Sequence, residues 1–335
     1  MSKYIRITDP KSIDSTSVLS QTTGDNEVTI QFSETVTDHN LLRQVDELCK
    51  SAGTNLCIRF YGHDQTGFDC NILSYLPNVK NLSVNCLRSV SNFAALRELE
   101  NIEKLNVGID ELDEKDFLSW ENLKQVSSLC LGSSRKNNVD LKYLDEYANV
   151  ESFFLNGHSK NIDAVGAMSR VAELSLSISA KASISFVNRL AKLRKFKLVL
   201  GGRDNLDEVT NYGIEEIEIV RVRGFSSFGN LGEFKKLKKL LIEDQIRIEE
   251  LRIPSELPNL AELKIFNCKT LSVLEGLHNL VALQHLRINM TAIEYSDFIK
   301  QKLPNSLKIL AFYTKSEKSD LEIRNSLDRL GYVDR

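Results

Sequence analysis

The sequence is short of aromatic residues, of unbalanced charge and of any paired cysteine spacing. Phe, Trp and Tyr make up 7% of its 335 residues against 42% apolar content, so Leu, Ile and Val layers must build the interior. A formal charge of −3 supplies no strong global attraction to nucleic acid or to acidic membranes. The start, MSKYIRITDPKSIDS, has no apolar h-region, and no run of about 18 apolar residues occurs anywhere. A membrane span and a secretory leader are therefore not expected. The six cysteines (Cys49, Cys57, Cys70, Cys86, Cys130, Cys268) form no C-x-x-C pair and no small-domain disulfide pattern. Sequons at Asn81 and Asn289 would need a secretory route that the N-terminus does not offer. Reduced thiols and a cytoplasmic location follow as expectations.

Catalytic and metal signatures are missing as well. The five histidines (His39, His63, His158, His278, His285) are scattered, with no H-x-x-x-H or Cys/His pairing, so no metal and no cofactor is expected. There is no G-x-x-x-x-G-K-[ST], no G-x-S-x-G and no G-x-G-x-x-G, and Gly201-Gly202 alone reads as a turn. The basic run from Lys235 to Lys239 carries in-frame leucines and is followed by Glu243, Asp244, Glu249 and Glu250, which argues against nucleic acid.

What is present is a period. Leu260-x-x-Leu263-x-Ile265-x-x-Cys268 returns 23 residues later as Leu283-x-x-Leu286-x-Ile288-x-x-Thr291. Leu271, Leu274, Leu277 and Leu280 fall between them at steps of three. That step suits a short strand, a turn and a 3₁₀ return stacked on copies of itself. The frame can be laid down twelve times, its middle residue at Ile58, Leu82, Leu105, Leu129, Phe153, Leu174, Phe196, Ile217, Leu240, Leu263, Leu286 and Leu310. The motif's usual Asn position instead holds Asp110, Ser134, His158, Ser179, Cys268 and Thr291, or apolar Leu87 and Val222. An irregular solenoid is expected, with looser loops at 132–140 and 201–207.

The ends differ. In residues 1–54, Tyr4–Ile7 and Val28-x-Ile30-x-Phe32 read as strands and residues 9–25 as polar and turn-rich. Thr37 or Asp38 can cap a helix carrying Leu41, Leu42, Val45, Leu48 and Cys49, closed by Gly53. At the other end, Ser319-x-x-Glu322 reads as a capping box for a helix burying Ile323, Leu327 and Leu330, with Gly331 its stop and no further domain expected. The expected organisation is an N-terminal strand–helix cap over 1–54, about twelve repeats over 55–315, and a C-terminal helical cap over 316–335. Terminal repeats need such polar covers.

The stretch 257–293 resembles the 22-residue class of leucine-rich repeat found in bacterial internalins and in a regulatory subunit of protein phosphatase 1. The resemblance implies an α/β leucine-rich repeat solenoid: a curved right-handed superhelix with a parallel concave β-sheet, an irregular, 3₁₀ or short-helix convex side, and caps at both ends. It also implies a non-catalytic scaffold that binds a protein partner through the concave face. An inhibitor or immunity-type protein neutralising an enzyme or toxin, a cell-surface adhesive protein, and an enzyme or nucleotide binder stay open as alternatives. A monomer, with neither membrane nor nucleic acid as partner, is expected.

Strand alternation puts the residues beside each middle leucine on the open face. In the first half these columns look small and neutral around Phe154. In the second half their sign alternates through Lys195, Glu216, Lys239 and Glu262. The expected protein-binding residues are Phe154 and Asn156 in one patch. Lys195, Lys197, Glu216, Glu218, Lys239, Glu243, Lys264, Phe266, Arg287 and Asn289 form a neighbouring charged one.

Overall fold

A computed structural model describes residues 4–24, 26–63 and 67–334. The chain divides into two compact units, Met1–Val171 and Ala172–Arg335. Unit 1 contains β1 (Tyr4–Thr8), α1 (Ser15–Gln21), β2 (Glu27–Phe32), α2 (His39–Ala52) and β3 (Leu56–Gly62). Then come β4 (Phe68–Asp69), β5 (Asn81–Leu87), β6 (Val90–Ser91), β7 (Lys104–Ile109), β8 (Ser128–Leu131) and β9 (Ser152–Asn156). Unit 2 contains β10 (Glu173–Ser177), β11 (Lys195–Val199), β12 (Glu216–Val220), β13 (Lys239–Glu243), β14 (Glu250–Arg252) and β15 (Glu262–Phe266). It ends with β16 (Val273–Glu275), β17 (His285–Asn289), α3 (Tyr295–Phe298), β18 (Ile309–Tyr313) and α4 (Glu317–Arg329).

Each unit holds a main sheet of seven parallel strands, in the order β1-β2-β3-β5-β7-β8-β9 in unit 1 and β10-β11-β12-β13-β15-β17-β18 in unit 2. Strands are joined by returns of 3₁₀ turns and extended chain, and β4–β6 and β14–β16 are two small parallel pairs within those returns. This is the leucine-rich repeat solenoid architecture. The register is the one the frame requires. Ile58, Leu82, Leu105, Leu129 and Phe153 lie opposite one another in unit 1. Leu174, Phe196, Ile217, Leu240, Leu263, Leu286 and Leu310 do so in unit 2. All twelve are buried, as are their partners two residues on, so each repeat completes the apolar layer of the next. The two strands of residues 1–54 join the same ladder, with Ile30 opposite Ile58 and Phe32 opposite Phe60.

Side-chain ladders replace the missing asparagine at the end of the strand. His158 Nε2 lies 2.9 Å from the Gly132 carbonyl, Gln245 Nε2 donates to the Ile219 carbonyl at 3.3 Å, and Cys268 Sγ to that of Ile242 at 3.8 Å. Burial holds the His158 imidazole below its ordinary pKa, against the bond to Gly132. A second ladder, of asparagines, runs along the returns. Asn101 donates to the Pro77 carbonyl at 3.0 Å, Asn122 to that of Leu99 at 3.0 Å, Asn211 to that of Leu190 at 2.9 Å and Asn259 to that of Lys235 at 2.7 Å. In unit 2 the chain leaves five successive strands through a left-handed residue: Leu200, Arg221, Asp244, Asn267 and Met290. Each donates its backbone N–H to the next strand (Leu200 to Val220, Arg221 to Glu243, Asp244 to Phe266), and this bond offsets the unfavourable φ.

Three local expectations are corrected. Residues 15–21 of the turn-rich stretch are helical, capped by Asp14, whose side chain accepts from Ser17 N–H at 3.1 Å. The last helix is capped by Ser316, not Ser319; Ser316 Oγ accepts from Ser319 N–H, and Asp320 reaches back to Thr314 N–H at 2.7 Å. Leu330 is 57% exposed and does not join the covered face. For α2 the cap is Asp38, and its five predicted apolar residues are buried.

Candidate functional site

Every predicted site residue lies on the open face of its own unit's sheet: Phe154 and Asn156 in unit 1, the others in unit 2. In β9 burial alternates so that Phe153 and Leu155 point into the core, leaving Phe154 and Asn156 half-buried on the open face. Phe154 lies opposite Cys130. In unit 2 the first column runs Glu173, Lys195, Glu216, Lys239, Glu262, His285 in direct register. The next column places Lys197 opposite Glu218 and Lys264 between Leu241 and Arg287. The third places Phe266 between Glu243 and Asn289, in line with Val220 and Val199.

The unit 2 charges mostly answer one another. Lys239 Nζ is 2.8 Å from Glu216, and Lys197 Nζ is 2.7 Å from Glu218. Lys195 lies 3.7 Å from Glu216 and 3.6 Å from Glu218, and Lys264 pairs with Glu262 on its own strand. Burial raises the pKa of Glu216, but Lys239 and Lys195 pull it below the ordinary carboxylate range. Lys239 is raised by the same bond. Such exposed or half-exposed pairs contribute about 0.2–1 kcal/mol each, so they support the sheet and leave the patch electrically balanced. Between these pairs lies an apolar group, Phe266, Leu241, Val199 and Val220, all half-buried on one face.

The unit 1 face is small and neutral beside Phe154, where Cys130 and Ser128 lie opposite β9, but carries cations nearer its first strands. Arg59 and Lys104 both project from it, over a trough of about 710 Å³ that also meets Ser83, Asn85 and Asn106. Nothing in the one-letter pattern distinguishes these cations from those of unit 2. The difference is register: the positions opposite them hold Ser83 for Arg59, and Asn81 and Ser128 for Lys104, instead of carboxylates.

Among the described residues no group of three His, Cys, Asp or Glu side chains could hold a metal ion. Five of the thiols are poor nucleophiles. Burial pushes Cys49, Cys57, Cys70 and Cys130 up to about 12 and Cys268 up to about 11. All six are free, and Cys86 alone is exposed. Ellman's reagent is therefore expected to titrate Cys86 rapidly in the native protein and all six in denaturant, and reductant should not move the melting temperature. A fall of tens of degrees on reduction would reveal a structural disulfide. Asn81 is 8% exposed and donates to the Thr54 carbonyl at 3.0 Å, so a glycan there would have to break into the sheet.

No protein-family model matches the chain, and no curated protein matches it in sequence. Solved structures do match in fold. An internalin (inlF) of Listeria monocytogenes is 15% identical, with 82% of this chain and 87% of that one covered and a TM-score of 0.43. The functional domain of InlJ from the same organism is 14% identical, covering 84% and 61%, at a TM-score of 0.47. A leucine-rich repeat protein of Leptospira interrogans is 14% identical, covering 90% and 93%, at 0.43. The cytoplasmic location expected from the sequence does not stand against this comparison, because internalins are secreted, cell-surface bacterial proteins. Its two supports, a start without an h-region and unpaired cysteines, were both absences, and neither fixes a compartment. In fold, the chain is a leucine-rich-repeat-like solenoid similar to these bacterial proteins.

Proposed function

We propose that the chain is a non-catalytic scaffold that binds a protein partner through the open face of its sheet, using one patch on each unit. The observation that supports this most directly is the outward placement of Phe154 and Phe266 on rigid strands whose neighbours are polar or already paired. A side chain fixed on a sheet loses little ordering entropy when a partner docks. Aromatic anchors ringed by polar residues carry most of the energy of such interfaces. Around Phe266 the anchor extends to Leu241, Val199 and Val220; Glu243, Arg287 and Asn289 form its rim, and the Lys195–Glu216–Lys239 ladder holds its floor flat. An inhibitor that covers an enzyme's site would use the same face, and assaying the partner's activity with the scaffold bound separates it from an adaptor.

The test begins with capture from the native cell and identification of the partner by mass spectrometry. Phe266→Ala and Phe154→Ala should each then weaken the complex by about 2 kcal/mol or more with melting unchanged. Charge reversal at Lys197 or Lys264 should slow association mainly at low salt. Unaltered affinity in both Phe variants, with loss of binding on substitution in the returns, would remove the open face from consideration.

A further inference from the structure

We propose that the trough on the open face of unit 1 is an anion site that takes a side-chain carboxylate from an acidic segment of the protein partner. This refinement rests on the protein-binding reading above.

Three independent features converge there. Arg59 and Lys104 stand on the trough, and among the described residues neither has a carboxylate within ion-pair distance. Arg59 is instead held by neutral groups: Nε donates to Asn85 Oδ1 at 2.8 Å and Nη1 to Gln31 Oε1 at 3.2 Å, with the guanidinium 4.5 Å from the Tyr61 ring. These contacts orient the guanidinium without neutralising it, leaving N–H donors for an incoming oxyanion. The third feature is Ser83, directly opposite Arg59 across the strand pair. It is only 5% exposed, and its hydroxyl has no hydrogen-bond partner. A buried hydroxyl left unsatisfied is costly, and an acceptor placed between Arg59 and Lys104 would satisfy it.

The carboxylates that meet the trough do not fill this role. Glu27 is the first residue of β2, and Glu151, just before β9, is held by Arg170 at 2.7 Å. In unit 2 the comparable lysines are answered by Glu216 and Glu218 in register and by Glu262 on the same strand. In unit 1 the positions opposite Arg59 and Lys104 hold Gln31, Ser83, Asn81 and Ser128 and no acid, so the complementary charge has to come from outside. A peptide carboxylate fits best: the cations that meet the trough, Arg6, Arg59 and Lys104, stand on separate strands and can meet the spaced carboxylates of an acidic segment, whereas a phosphate would want its oxygens enclosed by donors at one point.

The probe is a fluorescein-labelled octaglutamate peptide, with octaglutamine as its neutral counterpart, titrated into the full chain by anisotropy at low and physiological salt. Octaglutamate should bind and weaken with salt, and octaglutamine should not bind. Arg59→Gln and Lys104→Gln should each weaken it about tenfold or more. Ser83→Ala should weaken it less, Arg59→Lys should retain part of it, and Phe266→Ala should leave it unchanged. Circular dichroism melts of each variant separate lost binding from lost fold. Equal binding of both peptides, or octaglutamate binding indifferent to Arg59→Gln and Lys104→Gln, would overturn the site. Inorganic phosphate or phosphatidylserine vesicles displacing the probe at lower concentration than unlabelled octaglutamate would overturn the peptide assignment. If the captured partner still depends on Phe154 and Phe266 while octaglutamate fails, only this refinement falls.

Discussion

A chain ending at residue 316 is expected to self-associate and to melt well below the full-length protein. The residues removed close the last edge of the sheet in three ways. Helix α4 buries Ile323 and Leu327 against the last repeat, where Phe312 is 4% exposed and its ring packs tilted against Phe298 at 5.2 Å and edge-on to Tyr295 at 5.3 Å. The chain then turns at Gly331 and lays Val333 beside β18, accepting from Leu310 N–H at 3.2 Å and donating to the Lys308 carbonyl at 3.1 Å. Asp334 finally takes the Tyr313 hydroxyl at 2.6 Å and Arg324 Nε at 3.2 Å. Removing the burial made by one Ile and one Leu forfeits on the order of 3–6 kcal/mol. The larger consequence is an apolar end with an open strand edge, a template for pairing with another chain. Size-exclusion chromatography with light scattering and a thermal melt check this; a monodisperse product with unchanged melting would show that α4 covers nothing of consequence.

The repeat frame was legible because burial imposes it. A strand residue one position out of phase would put a charge in the core and a leucine in water, so the twelve middle residues could be read and their partners paired across strands. The open-face columns were legible for the same reason, and Phe154 falls outward because Phe153 has to fall inward. Helix α1 was not legible: Ser15-Thr16-Ser17-Val18-Leu19-Ser20-Gln21 has poor propensity and buries only Val18. It is held from outside, by α2, whose Gln44 donates to the Ile13 carbonyl at 2.9 Å. Nor could the meaning of the charges be read from single repeats. Whether Lys239 is spent and Lys104 is available depends on what stands one strand away: Glu216 and Glu262 for the first, Asn81 and Ser128 for the second. The ladder residues were half legible, since His158 and Cys268 sit at the motif position, as does Gln245, which completes the set.

Gly201→Ala is expected to cost more than any surface substitution in unit 2, although the sequence marks Gly201-Gly202 only as a turn. This repeat has no side chain to place where His158, Gln245 and Cys268 sit in theirs. The backbone itself enters the position: Leu200 and Gly201 both adopt left-handed φ, at 59° and 62°. Gly202 N–H then donates to the Ile178 carbonyl at 3.0 Å. A methyl group on Gly201 would stand 2.5 Å from that carbonyl oxygen and 2.8 Å from the Ile178 nitrogen, both backbone atoms of the neighbouring return. Neither can swing aside as a side-chain tip would. Left-handed φ costs an alanine about 1–2 kcal/mol. Relieving the overlap adds about 1–3 kcal/mol. At roughly 2–4 °C per kcal/mol for a unit of this size, the melting temperature should fall by on the order of 5–15 °C. Gly213→Ala is the control: its φ lies outside the left-handed range, and its one neighbour within 4 Å is the Asn211 side-chain oxygen at 3.2 Å, a contact that a shift of a few tenths of an ångström relieves. Gly201→Ala melting within a degree of Gly213→Ala would mean that the turn is looser than its geometry shows. A selective drop would mean that backbone has taken over the work of the ladder side chain in this repeat.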